Sequence, residues 1–124
     1  MAVARISREA LDSLLKGQIK QNLTFVIKFY SNGCHLCHNL REYFVDISDK
    51  EEYKHLKFFA YNIDDYPELE DRLRFKGVPT IFVVHANIGN RRPKLRLLPE
   101  PEKPNDKTWY RSSDICKFLD REAL

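Results

Sequence analysis

The sequence predicts an α/β domain, a layered sheet with helices and an antiparallel edge. Three observations predict it. The chain has 124 residues, 43% hydrophobic and 31% charged, so residues 1–124 read as a single globular domain with one core. Runs dense in β-branched and aromatic residues alternate with segments whose apolar residues recur every three or four positions. The last two strand-like runs are joined by a short link, which favours antiparallel pairing.

The elements follow in order. Residues 3–6 form a short apolar run, a first strand. Ser7 offers a helix N-cap, and Leu11, Leu14, Leu15 and Ile19 follow at helical spacing, with Gly17 weakening the far end. "LTFVIKFY" (23–30) reads as a buried strand that stops at a Ser-Asn-Gly turn. From Cys34 the pattern is helical, with Leu36, Leu40, Tyr43, Phe44 and Ile47 recurring at three- or four-residue spacing. "LKFFAYNI" (56–63) is a strong strand. "DDYPELEDRLRFKG" (64–77) reads as a helix with Pro67 in its first turn. Its acidic residues come early and its basic ones late, as the helix dipole favours, and Gly77 is the stop. "TIFVVHA" (80–86) is the next strand. "PKLRLL" (93–98) is an edge strand because Pro93 sits on it. Residues 99–110, "PEPEKPNDKTWY", form a polar, proline-rich loop. "SSDICKFLDREAL" closes the chain as a helix, capped by Ser112 or Ser113, with Ile115, Phe118 and Leu119 on one face.

Composition excludes several function classes. The net charge is +3 with a pI near 8.8, and the basic residues are dispersed apart from "RFK" and "RRPKLR". A nucleic-acid interface needs a clustered basic face, so none is expected. The local cluster at 91–96 flanks a surface strand. No apolar run is long enough to span a membrane, and the first residues lack the apolar core of a signal peptide. A cytoplasmic protein is therefore expected if residue 1 is the natural start, and a luminal one if the chain is excised from a larger protein. There are three cysteines, Cys34, Cys37 and Cys116. That count fits a reducing compartment with one working pair better than a disulfide-stapled scaffold.

"SNGCHLCHNL" (31–40) carries the chemistry and has three spellings. As a dithiol, Cys34 opens a helix, whose N-terminus stabilises a thiolate and makes it the nucleophile. Cys37, one turn along, is the resolving thiol. His35 and His38, when protonated, add to that stabilisation. As half of a zinc site it is short of ligands. His55, His85 and Cys116 are the remaining soft candidates, and they form no second pair. As a C-x-x-C-H haem attachment it would use His38 as axial ligand. The only methionine is Met1, however, and the chain is strand-rich where haem pockets of this kind are helical. No metal and no cofactor are expected.

Three stretches give the chain a resemblance to thioredoxin along nearly its whole length. "FVIKFYSNGCHLC" resembles the family's strand leading into C-x-x-C. "NIDDYPELEDRLRFKGVPTIFVV" is similar to its N-I-D…P…G-[IV]-P-T segment, and "SSDICKFLDREAL" to its closing helix. The resemblance implies a thioredoxin-like fold, with a central mixed β-sheet flanked by helices on both faces. It implies a cis Val78–Pro79 bond, with Pro79 against the sulfurs and the backbone of Val78 pairing with substrate. Without the family, Pro79 would read as an ordinary strand-start proline.

The departures from the family are specific. Gly33 stands where the family usually has Trp, at the substrate-facing position. His35-Leu36 replaces the usual dipeptides between the cysteines, and the helix-kinking proline is absent near Glu42. Lys28 stands where the family places a buried acid that deprotonates the second cysteine. Pointing inward, Lys28 would favour both thiolates and make the disulfide more oxidising. The competing reading has its amine reaching solvent, with the stem lining the core. The loop 99–110 either shapes substrate choice through Trp109 and Tyr110 or is a solvated insertion, and the insertion is the favoured reading. Cys116 is expected to be a core or half-buried residue.

The expected function is thiol–disulfide exchange with disulfide-containing protein substrates. Cys34 attacks, Cys37 resolves, and a thioredoxin reductase is a possible electron donor. A monomer is expected. Two alternatives remain. One is a non-catalytic binding module on the same fold. The other is a luminal disulfide-isomerase-type module excised from a larger protein, because "FYSNGCHLCH" is also similar to thioredoxin modules of endoplasmic-reticulum J-proteins.

Overall fold

A computed structural model describes residues 3–89 and 92–123. Met1 and Arg91, named above, lie outside them. The element order is β1 (Val3–Arg5), α1 (Arg8–Leu15), β2 (Leu23–Tyr30), α2 (His35–Ser48), β3 (Lys57–Asn62), α3 (Leu69–Leu73), β4 (Thr80–Ala86), β5 (Lys94–Leu97) and α4 (Ser112–Glu122). Two 3₁₀ turns, Glu51–Tyr53 and Ile63–Asp65, join them.

The strands form one mixed sheet in the order β1-β3-β2-β4-β5. β1 and β2 both run parallel to β3, β4 runs antiparallel to β2, and β5 is the antiparallel edge. β2 and β4 are central and buried on both faces, which is why they read as unbroken apolar runs rather than alternating ones. Above one face, Leu40, Phe44 and Ile47 of α2 pack with Ile115, Phe118 and Leu119 of α4. Beneath the other, Leu11 and Leu14 of α1 and Leu69 of α3 pack with Phe25, Ile27 and Phe29. Phe29, Phe75 and Phe82 form an aromatic cluster there, with centroids 5.2 to 5.8 Å apart. Each fully buried side chain of this size contributes about 1.5–3 kcal/mol.

Several local expectations are corrected. α3 runs only from Leu69 to Leu73. Tyr66 precedes Pro67, and the proline ring drives the residue before it out of the helical region; Tyr66 takes φ −157° and ψ 69°. The stop is Arg74, left-handed at φ 59°, three residues before Gly77. α1 ends at Leu15, so Ile19 lies past the helix and packs on the core from the following segment. Tyr43 is 51% exposed and does not share the buried face of α2. The cap of α4 falls at Arg111, whose N–H donates to the Asp114 carboxylate at 2.9 Å, and not at Ser112 or Ser113. Ser7 does cap α1, accepting from the Ala10 N–H at 3.1 Å.

Candidate active site

The turn after β2 is fixed before the cysteines arrive. Asn32 N–H donates to Asp64 Oδ2 at 3.0 Å, and Asn62 Nδ2 donates to Asn32 Oδ1 at 2.9 Å. The end of β3 thus holds the loop that follows β2. Cys34 is the N-cap of α2, with extended backbone (φ −93°, ψ 98°), and its Sγ accepts the Cys37 N–H at 3.0 Å. A sulfur in that position takes an orphan donor of the first helical turn. The same donor and the helix dipole stabilise a thiolate there.

Cys34 and Cys37 are joined as a disulfide, with Cα atoms 5.3 Å apart. The two sulfurs are not equivalent. Cys37 is 3% exposed, whereas Cys34 is only part-buried. Cys34 Sγ also lies 3.7 Å from the carbonyl oxygen of Val78. The Val78–Pro79 bond is cis, as the family resemblance implies. Pro79 is buried and Val78 half-buried. The turn around them is braced from α3. Gly77, at φ 78°, donates its N–H to Glu70 Oε2 at 2.6 Å, and Thr80 Oγ1 donates to the Gly77 carbonyl at 2.7 Å.

The other predicted site residues fall at different distances from the sulfurs. Gly33 is exposed, and a Cβ added to it would meet nothing within 4 Å, so its backbone geometry does not demand glycine. His35 is the first residue of α2 and is exposed. His38 is exposed too; its Nε2 lies 3.2 Å from the Asn32 carbonyl, tying the ring to the turn. Among the described residues, no group of three or more His, Cys, Asp or Glu side chains gathers in a metal-ligating arrangement.

Lys28 points inward. It is 3% exposed on the central strand, and its Nζ lies 5.2 Å from the Phe44 ring centroid. Burial first, and the nearby Arg41 charge second, together lower its pKa to about 8. Lys28 and Cys37 line one cleft of about 410 Å³ between the sheet and α2.

The loop 99–110 is anchored rather than a free insertion. Thr108 and Tyr110 are buried, Tyr110 OH donates to the Leu98 carbonyl at 3.3 Å, and Trp109 packs against the α2–α4 core. Its tip reaches α2, where Asn39 Nδ2 donates to the Lys107 carbonyl at 2.9 Å. Cys116 is half-buried on the same core, as expected.

Sequence reasoning did not find Glu70, Asn62 or Asp64. The signal for the last two was present: Asn62 accepts the Asp64 N–H at 3.0 Å, a turn that an N-x-D spelling favours. Glu70 had no such signal, because its partner lies in the turn beyond the helix.

Fold and geometry together define a thioredoxin-fold domain with a redox-capable cysteine pair. The Thioredoxin family model matches residues 4–118, and the chain belongs to that family, whose members are generally oxidoreductases. Solved structures agree on the fold. Malassezia sympodialis thioredoxin (Mala s 13) superposes with a TM-score of 0.67 at 15% identity, covering 100% of this chain and 96% of that one. Chloroplastic thioredoxin z gives 0.66 at 20% identity, covering 100% and 97%. The J-Trx1 fragment of ERdj5 gives 0.66 at 18% identity; 97% of this chain is covered but only 49% of that fragment.

Proposed function

We propose that this protein is a thiol–disulfide oxidoreductase acting on disulfide-containing protein substrates. The carrying observation is the asymmetry of the pair: Cys34 is accessible at the helix N-cap, and Cys37 is buried behind it. In the reducing direction the Cys34 thiolate attacks a substrate disulfide. One substrate sulfur leaves as thiolate, and Cys34 holds the other in a mixed disulfide. Cys37, deprotonated, then attacks Cys34 Sγ, releasing the second substrate thiolate and closing Cys34–Cys37. The carbonyl of Val78, beside Cys34, is placed to accept a hydrogen bond from a substrate backbone N–H. Lys28 favours thiolate in this site and leans the couple towards oxidation of substrates.

Trapping tests the assignment. Cys37→Ser should accumulate a covalent complex with a disulfide substrate, released by dithiothreitol. Cys34→Ser should accumulate none, and wild type should reduce insulin catalytically. A well-folded wild type with no turnover would favour the binding-module reading, and equal trapping by both variants would overturn the division of roles.

A second reading has one observation in its favour. This chain covers nearly all of itself but half of the J-Trx1 fragment of ERdj5, which fits a module of a larger, luminal disulfide-exchange protein. A cytoplasmic location, exchange of electrons with a thioredoxin reductase and a monomeric state are the corresponding proposals if the domain acts alone.

A further inference from the structure

We propose that the cleft beneath α2 binds a small oxyanion, a carboxylate or a phosphate group, held on Lys28. The register of the sheet builds the site. Arg5 on β1 pairs with Ala60 on β3, and Ala60 pairs with Lys28 on β2, so the three stand in one row across the sheet. Side chains in register on neighbouring strands share a face. Between two long cations the row carries only a methyl group. That gap opens the cleft of about 410 Å³, within the range of small-ligand sites. Arg41 on α2 lines it from above.

The charges of the cleft are unbalanced. Its lining contains three permanent or near-permanent cations, Arg5, Lys28 and Arg41, against one carboxylate, Asp65. Among the described residues the ion pairs are Lys54–Glu51, Arg72–Asp12, Arg96–Glu122 and Arg121–Glu122, and none includes these four groups. Lys28 is the decisive one, because it is 3% exposed and has no hydrogen-bonding or ion-pair partner among the described residues; its Nζ lies 5.2 Å from the centroid of the Phe44 ring. A buried cation without an anion is costly, and an oxyanion entering the cleft would supply charge-assisted bonds to it. The repulsion that Arg41 exerts on Lys28 acts the same way, since an anion between them relieves it. Apolar wall comes from Phe44 and Val45, which suits a carboxylate on a short hydrocarbon as well as a bare phosphate.

This site goes beyond the exchange reading and does not depend on it. Cys37 lines the same cleft, and its thiolate would compete with the anion for Lys28. The disulfide form is therefore the one to test.

Oxidised full-length protein is titrated with inorganic phosphate, and separately with propionate, at constant ionic strength. Calorimetry and thermal denaturation are the readouts. Saturable heat and a saturable rise in Tm are expected with one of the two probes, and the responding probe identifies the oxyanion. Lys28→Met and Arg41→Gln should each weaken binding about tenfold or more, whereas Lys57→Met, an exposed lysine elsewhere on the sheet, should bind as wild type. No saturable response to either probe, or an equal response in Lys28→Met and wild type, overturns the site. Neither readout needs turnover, so a catalytically silent protein leaves the result standing.

Discussion

Lys28 Nζ faces an aromatic ring at 5.2 Å, in the middle of a strand whose neighbours Val26, Ile27 and Phe29 are at most 1% exposed. At pH 7 the amine is below its pKa of about 8 and carries its proton. A thiolate in the reduced site carries negative charge on sulfur, and the disulfide carries none. A buried cation that lines the same cleft as Cys37 should therefore stabilise the reduced form and make the disulfide the stronger oxidant. Lys28→Glu reverses the local charge, so its couple should be more reducing than wild type. The expected difference is about 30 mV or more, which corresponds to about 1.4 kcal/mol for a two-electron couple. Equilibration with a glutathione redox buffer measures it, and an unchanged or more oxidising potential would sink the idea. Gly33 shows the opposite case at this scale. It is open and exposed, and its Cβ space is empty, so the fold does not require glycine there.

At the scale of elements, the site is a meeting of three segments: the N-terminus of α2, the turn before β4, and the end of β3. Each was legible in the sequence as an element, but their bracing was not. Glu70 sits in the five-residue α3, and its carboxylate accepts the Gly77 N–H at 2.6 Å. A helix running unbroken through residues 64–77 would carry Glu70 away from that turn; the break at Tyr66-Pro67 and the left-handed Arg74 fold the chain back onto it. Glu70→Ala should destabilise the protein by about 1 kcal/mol, because a charge-assisted bond to a backbone donor is lost at an exposed position. Insulin reduction should slow as well, since the Val78 carbonyl beside Cys34 is carried on the same turn. Urea unfolding gives the first quantity and the assay the second; a variant with unaltered stability and rate would remove Glu70 from the site's support.

For the whole molecule, the two faces of the sheet differ in what they bury. One holds an almost purely apolar core under α1 and α3. The other holds the apolar core of α2 and α4 and, at its edge, the buried charge of Lys28. A lysine whose pKa falls from 10.5 to about 8 on folding penalises the folded state wherever both states are protonated, below pH 8. Between pH 8 and 10.5 the unfolded chain keeps the proton that the folded one has released, so stability rises with pH in that window. The total is about 3 kcal/mol. Above pH 10 buried tyrosines act in the opposite sense. Burial raises Tyr53 and pushes Tyr110 up to about 12, and stability is lost as the unfolded phenols ionise. Lys28→Met in the disulfide form should therefore be the more stable protein at pH 7, with its advantage shrinking as pH climbs from 8 to 10. Chemical denaturation across that range, in buffer free of phosphate and carboxylate, measures it. A constant difference between the two proteins would contradict the assignment.

The strand β2 and its stop were legible because a fully buried strand is a continuous apolar run, and β4 was legible for the same reason. The cysteine pair at the head of α2 was legible because a strand-turn-helix boundary has its own residue signals. Ser7 as a cap and β5 as an edge followed from local chemistry as well. Sequence alone left Lys28 between two orientations, because a long amphipathic side chain can follow either and nothing local chooses. Spacing groups Tyr43 with Leu40, Phe44 and Ile47, yet it is exposed, because spacing fixes a helix face only to within the width of the stripe that neighbours cover. The register that sets Arg5, Ala60 and Lys28 side by side joins residues far apart in the chain. So does the approach of Val78 to Cys34. Those contacts are properties of strand pairing and helix packing, and only the tertiary structure decided them.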